Sequence, residues 1–218
     1  LEQLRCILLV VALLASTSSP AQKYLGISGG LAGNVLTGSE IDFQKKLYNT
    51  KMSSRTGPAF FLFLKKELTP FVYLKYELGY VRKGNTSPDN NGLWNLNLEY
   101  ISVPVKFGFQ PINSYNVSKD FQLGIEGGAA LNYAPGHGTD NLKSGYSSAN
   151  NLKVKQFAVS ILFGANFEYR LASKRIVFLN GTWYHDVTPL LSYQSGNATY
   201  KATNQGWLLT AGLLFPLQ

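Results

Sequence analysis

From Ile101 to Gly108 the chain alternates strictly. Ile101, Val103, Val105 and Phe107 share one parity, and Ser102, Pro104, Lys106 and Gly108 share the other. A period of two is the signature of a β-strand. Proline removes a ladder donor and lysine does not belong in an apolar core, so the non-apolar parity must face something other than a conventional interior. Alternation of this kind recurs along the chain and predicts about eight strands: Lys23 to Gly33, Gly57 to Lys66, Phe71 to Arg82, Leu96 to Phe109, Phe121 to Tyr133, Lys155 to Arg170, Ile176 to Asp186, and Gln205 to Phe215.

Long polar connections follow the first, third, fifth and seventh strands, and shorter ones (ELTP, QPINSYNVSKD, LASKR) follow the second, fourth and sixth. In an up-and-down meander this gathers all the long connections at one end. Outer-membrane barrels have that asymmetry.

Side-chain volume decides which parity faces inward. In the sixth strand Phe157, Val159, Ile161, Phe163, Ala165, Phe167 and Tyr169 oppose Ala158, Ser160, Leu162, Gly164, Asn166, Glu168 and Arg170. An eight-stranded barrel has room only for side chains that fill it, so the small and polar set is expected inside and the bulky set outside, in lipid. The fold expected is therefore all-β, an antiparallel up-and-down transmembrane β-barrel of about eight strands. A soluble calyx with the apolar parity inside is the alternative, and it conflicts with this volume argument. Pro104 calls for a bulge or locally broken pairing. Aromatic girdles are expected at Trp94, Tyr100, Tyr133, Trp183 and Trp207 on one side, and at Phe71, Phe109, Phe121, Tyr169 and Phe215 on the other.

Composition fits this reading: 21 Gly, 13 Tyr and 13 Phe in 218 residues, with 15% charged. Residues 1–21 combine Arg5, an apolar run from Cys6 to Ala15 and a small, polar tail ending in Ala21, the layout of a secretory signal peptide. Residues 22–218 are then one barrel domain. The single cysteine, Cys6, lies in the segment removed. That segment carries one Glu and one Arg, so the net charge stays at +8.

The stretches YELGYVRKGN (Tyr76 to Asn85), LEYISVPVKFGF, GIEGGAALNY (Gly124 to Tyr133) and LLTAGLLF (Leu208 to Phe215) resemble the PorT-like family of small outer-membrane β-barrels. Glu77-Leu78-x-Tyr80 with Lys83-Gly84, and Tyr100-x-x-x-Pro104, are the most specific parts. Phe215 resembles the aromatic end of the strand read by the barrel-insertion machinery, although Pro216, Leu217 and Gln218 follow it. The resemblance implies an outer-membrane location in a Gram-negative bacterium, and some members support secretion.

Catalytic chemistry has little material. His185 with Ser192 is a candidate hydrolase pair, but alternation points Asp186 away from His185. His137 lies in a Gly-rich loop, far in sequence from His185, so no metal site is expected. GISGGLAG lacks the following helix of a phosphate loop, and the Asn-x-Ser/Thr matches at Asn85, Asn116, Asn180 and Asn197 read as chance. No catalytic residue, cofactor or nucleic-acid partner is called for. Outer-membrane lipids, the barrel-insertion machinery and a protein at the external loops are the expected partners. Lys45, Lys46, Lys51, Arg55, Arg82 and Lys83 fall in or beside the long connections, where they suit lipid phosphates.

The inward parity carries Lys75, Lys106 and Arg170 with Glu77, Glu126 and Glu168. Counted from the short-turn ends, Lys106 should lie level with Lys75 and within ion-pair reach of Glu77 or Glu126, closing the lumen to solutes. The function expected is a non-enzymatic barrel with a plugged polar lumen, its long loops contacting a partner or surface. A narrow pore and a lipid-modifying enzyme are the alternatives.

Overall fold

The computed structural model describes residues 22–39, 41–42, 53–86, 96–111, 120–135, 152–195 and 198–217. The segment read as a signal peptide lies outside them, as do Lys45, Lys46, Lys51, Trp94 and His137. Ten strands follow in chain order: β1 (Lys23–Thr37), β2 (Ser53–Glu67), β3 (Val72–Thr86), β4 (Leu96–Phe109), β5 (Phe121–Tyr133), β6 (Leu152–Val154), β7 (Phe157–Arg170), β8 (Ile176–Asp186), β9 (Leu191–Ser195) and β10 (Ala198–Leu217).

Eight of them close an antiparallel barrel in the order β1-β2-β3-β4-β5-β7-β8-β10, with β10 returning to β1 from Lys23↔Leu217 to Thr37↔Thr203. The other two, β6 and β9, fall where alternation predicts only connections. They pair with each other, and β9 pairs with the first part of β10, Ala198 to Ala202, making a small sheet beyond the barrel rim. Their polar, Ser- and Asn-rich surroundings hide them, since β9 and β6 are only five and three residues long.

Closure leaves no edge in the barrel wall. Strands β1, β2, β3 and β10 also run beyond the spans expected from alternation, so the link between β3 and β4 shrinks to residues 87–95. It is shorter than the 110–120 link at the opposite end, and the contrast of long and short links holds for the other connections.

The facing follows the alternation. Ile101, Val105, Phe107, Phe163 (61% exposed) and Trp183 point outward, and Ser102, Lys106 (2%), Glu126 and Asn166 point inward. A belt of exposed Leu, Ile and Phe around a closed barrel is solvated by lipid. No helix among the described residues is long and apolar enough to cross a membrane, and the strands make the crossing.

Two expectations are corrected. Tyr100 is not a girdle residue, because it is fully buried on the inward row of β4. The lumen is also not filled by small residues alone. Tyr24, Phe61, Phe63, Tyr73, Tyr100, Phe178 and Tyr184 are all inside. They fit because glycines on neighbouring strands make room: a Cβ on Gly26 would overlap the Phe63 ring, one on Gly79 the Phe61 ring, and one on Gly108 the Tyr73 ring. Gly26, Gly79 and Gly108 are therefore seats for aromatic rings.

Pro104 resolves as broken pairing without a bulge. The β3–β4 ladder stops at Tyr76↔Val105, resumes in the same register at Gly79↔Ser102, and leaves Pro104 paired only to Ala130 of β5. The register shift lies elsewhere, between β2 and β3 at Ser54/Ala59, opposite Gly84 with φ 142°. Only glycine adopts that backbone conformation cheaply.

If inward glycines seat aromatic rings, Gly108→Val should destabilise the barrel by about 1–3 kcal/mol through overpacking. Gly181→Val, where a new Cβ meets nothing within 4 Å, should be close to neutral. Urea unfolding of the two variants in lipid bilayers measures the difference.

Candidate functional site: an ion-paired lumen

Alternation sends every second side chain of each strand into the barrel, and the meander fixes their relative depth. The register aligns Lys65, Lys75 and Lys106 in one row across β2, β3 and β4. Like charges directly opposite one another are destabilising. The row persists because each ammonium reaches a carboxylate.

Lys75 lies 3.0 Å from Glu77 and 3.5 Å from Glu126, and Lys106 lies 3.1 Å and 3.5 Å from the same two carboxylates. Glu126 is fixed further by the Tyr73 hydroxyl, which donates to it at 2.7 Å, and by Asn180 Nδ2 at 2.8 Å. Lys65 turns instead across the lumen and donates to both oxygens of Glu168 at 2.7 Å. Asn166 supports Glu168 at 2.6 Å. The Lys75 ammonium also lies 4.5 Å from the Phe63 ring centre, and the Lys65 ammonium 4.3 Å from that of Tyr73. Buried rings so placed add cation–π attraction.

A second cluster occupies the half of the lumen toward the long connections. Lys83 lies 3.1 Å from Asp186 and 4.6 Å from the Tyr184 ring centre. A chain of neutral groups runs on around the wall: Ser160 donates to Asp186, Asn132 Nδ2 to Ser160 at 2.7 Å, and Ser102 to Asn132 Oδ1 at 2.8 Å. Between the clusters lies a cavity of about 30 Å³ bordered by Glu77, Lys83, Lys106, Asn132, Thr182 and Tyr184. That volume holds one or two waters and no solute.

In the eight-strand order, β2 and β7 are four places apart, and so are β3 and β8. The Lys65–Glu168 and Lys83–Asp186 pairs therefore each span the full diameter of the barrel, at different heights. The ion-paired inward groups are four of each sign, Lys65, Lys75, Lys83 and Lys106 with Glu77, Glu126, Glu168 and Asp186, and Lys66 is buried as well.

The structure thus brings together Lys75, Glu77, Lys106 and Glu126, and pairs Glu168 with Lys65. Arg170, at the rim of the inward row, joins no ion pair among the described residues. Lys83 corrects its expected place: it is 3% exposed inside the barrel, out of reach of lipid phosphates. Ending the third strand at Arg82 puts it in a loop, although its parity matches Lys75 and Glu77. Arg82 faces outward and pairs with Glu99 at 3.1 Å, and Arg55 lies at the same rim on β2. Lys65 is obscured in the sequence by adjacent Lys66, and strand closure four places on is the signal that finds its partner.

The candidate hydrolase pair has no support from the adjacent carboxylate Asp186. His185 stacks on Trp183 at 6.0 Å on the outer side of the wall, while Asp186 faces the lumen against Lys83. Among the described residues no three His, Cys, Asp or Glu side chains form a metal-binding group.

A family profile described as an outer membrane protein beta-barrel domain matches residues 15–192. Among solved structures, the outer membrane protein OprG from Pseudomonas aeruginosa superposes with a TM-score of 0.59 at 13% identity, covering 91% of this chain and 97% of that one. A major outer membrane protein from Thermus thermophilus gives 0.52 at 9% identity, covering 91% and 100%. At these identities the likeness is one of fold. No curated protein sequence matches the chain.

Removing one partner of a buried pair strands the other charge, at a cost of about 3–5 kcal/mol. We expect Lys65→Met and Glu168→Leu each to destabilise the barrel by that order. The double variant should recover most of the loss, as read from a double-mutant cycle of urea unfolding in bilayers.

Proposed function

The chain belongs to the family of outer membrane protein β-barrel domains and resides in the outer membrane of a Gram-negative bacterium; from that premise, we propose that it is a non-enzymatic barrel whose lumen is plugged, and that it acts through its external connections. The observation that carries this reading is the pair of ion bridges across the full barrel diameter. Phe61, Phe63 and Phe178 are buried in the lumen as well, and the cavity of about 30 Å³ between the clusters is too small for a solute. Solute transport would require both bridges to open, stranding buried charges at each level.

The resemblance to the PorT-like family supports the narrower reading that the long connections serve a secretion assembly. In this reading residues 1–21 direct export, and the aromatic end of β10 at Phe215 engages the barrel-insertion machinery. Arg82 and Arg55, with Lys45, Lys46 and Lys51 of the first long connection, contact outer-leaflet lipid phosphates, a charge-assisted recognition.

Planar-bilayer recording of the reconstituted full chain tests the plug. The wild type should give no stable unitary current, and a variant with Lys65, Lys83, Glu168 and Asp186 all changed to Ala should conduct, provided that it keeps the heat-dependent gel mobility of a folded barrel. Stable single-channel steps from the wild type would establish the narrow pore instead.

A further inference from the structure

Toward the long connections the buried side chains change from charged to apolar. Leu36 on β1, Leu98 on β4, Ala202 on β10 and Leu190, in the link between β8 and β9, are fully buried. Ile41 is buried to the same degree, although it lies beyond Thr37, where the β1–β10 ladder ends. A side chain past the end of the ladder is covered in this way when its segment turns back onto the end of the barrel.

Local chemistry builds that turn. Gly38 has φ 123°, which costs other residues more, and a Cβ there would lie 2.5 Å from the Lys201 carbonyl oxygen. The Asp42 N–H closes one helical turn on the Gly38 carbonyl at 3.1 Å. Ser39 Oγ accepts from the Lys201 N–H at 3.1 Å and donates to the Lys201 carbonyl at 3.5 Å. The turn is thereby fastened to the small sheet, at the strand that the sheet shares with the barrel. Leu190 is fastened to the same strand, since its N–H donates to the Ala202 carbonyl at 2.8 Å, and its own carbonyl accepts from Lys155 N–H at 2.9 Å.

The layer next to these apolar groups is polar and incompletely bonded. Asn204 is opposite Leu36 on one side. On the other, one position past the Gln205↔His185 pair, it lies alongside Asp186. Neither amide atom of Asn204 has a hydrogen-bond partner, and the same holds for Asp186 Oδ2 and Asn34 Oδ1; all three residues are fully buried. Buried polar groups without partners are uncommon and costly. Deeper in the lumen Glu126 and Glu168 are each held by several donors. Water reaching the Asn204 layer would therefore restore hydrogen bonds and offset the exposure of the apolar groups, whereas water reaching the deeper layers would have to break ion pairs.

We propose that the turn carrying Gly38, Ser39, Ile41 and Asp42 is a hinged cap over the external mouth, which swings about Gly38 to hydrate the Asn204 layer while the ion-paired lumen below stays shut. Because Ser39 and Leu190 are both tied to the small sheet, a partner that shifts the sheet opens the cap. The proposal rests on the plugged lumen and the external placement of the long connections given above, and adds to them a movable outer closure.

Cysteine reporters in a Cys6→Ser chain, refolded into bilayers, test the cap with a small membrane-impermeant thiosulfonate. Asn204→Cys should be labelled from the external side only, at least about tenfold more slowly than exposed Lys201→Cys, as access through local opening requires. Thr182→Cys, below the Lys83–Asp186 bridge, should stay unlabelled. Adding Ile41→Ser should speed labelling of Asn204→Cys about tenfold by favouring the open cap, Ser39→Ala should speed it less, and Ile41→Val should leave it near the original rate. Heat-dependent gel mobility verifies folding of each variant. Labelling of Asn204→Cys as fast as Lys201→Cys, labelling from the periplasmic side, no labelling at all, or no acceleration by Ile41→Ser would overturn the cap. Labelling of Thr182→Cys would instead overturn the plug, so the two failures are distinguishable.

Discussion

Two ion pairs cross the full width of the barrel, and much of the interior is arranged around them. Lys65 on β2 meets Glu168 on β7, and Lys83 on β3 meets Asp186 on β8. In a ring of eight strands each pair can form only if the strands four places apart lie opposite and the register sets both ends at the same depth. A one-residue slip in any intervening strand would turn its inward row to lipid. Charges in lipid are costly, so the pairs work against alternative registers as well as filling space.

Filling the same volume with apolar side chains would give comparable or greater stability in many proteins. Here the lysines are surrounded by groups that lower the cost of burial. Carboxylates are shared between Lys75 and Lys106, Tyr73 and Asn180 donate to Glu126, and aromatic rings lie beside the ammonium groups. The rings in turn depend on glycine in the adjacent strand. Charge, ring and glycine thus form one packing scheme, and the bulky residues left on the outer parity make the lipid-facing belt without further adjustment.

Period-two alternation makes the fold and the facing legible, because each strand carries its own record of which parity is bulky. The Lys75, Glu77, Lys106 and Glu126 group is legible as well, since sequential strands of a meander are neighbours and depth can be counted from the short turns. The cross-diameter pairs are not, because their partners lie about a hundred residues apart and meet only through closure. Lys83 falls in a loop on sequence alone, because the polar run after Arg82 hides the continuation of β3. Tyr100 suits a girdle by residue type, against its own parity. The projecting sheet carries too few residues per strand for periodicity to register, and its pairing depends on β10 continuing far beyond the wall.

Thiol labelling inside the lumen tests the central claim most directly. Thr182 faces inward beside the cavity between the two bridges, so Thr182→Cys in a chain with Cys6→Ser reports access from either end. In the folded, reconstituted barrel a membrane-impermeant thiosulfonate should leave this cysteine unlabelled from both sides. It should react fully in urea, and a Lys201→Cys control should react at once in the folded state. Labelling of Thr182→Cys in the folded barrel at a rate near that of the control would contradict a lumen closed by ion pairs.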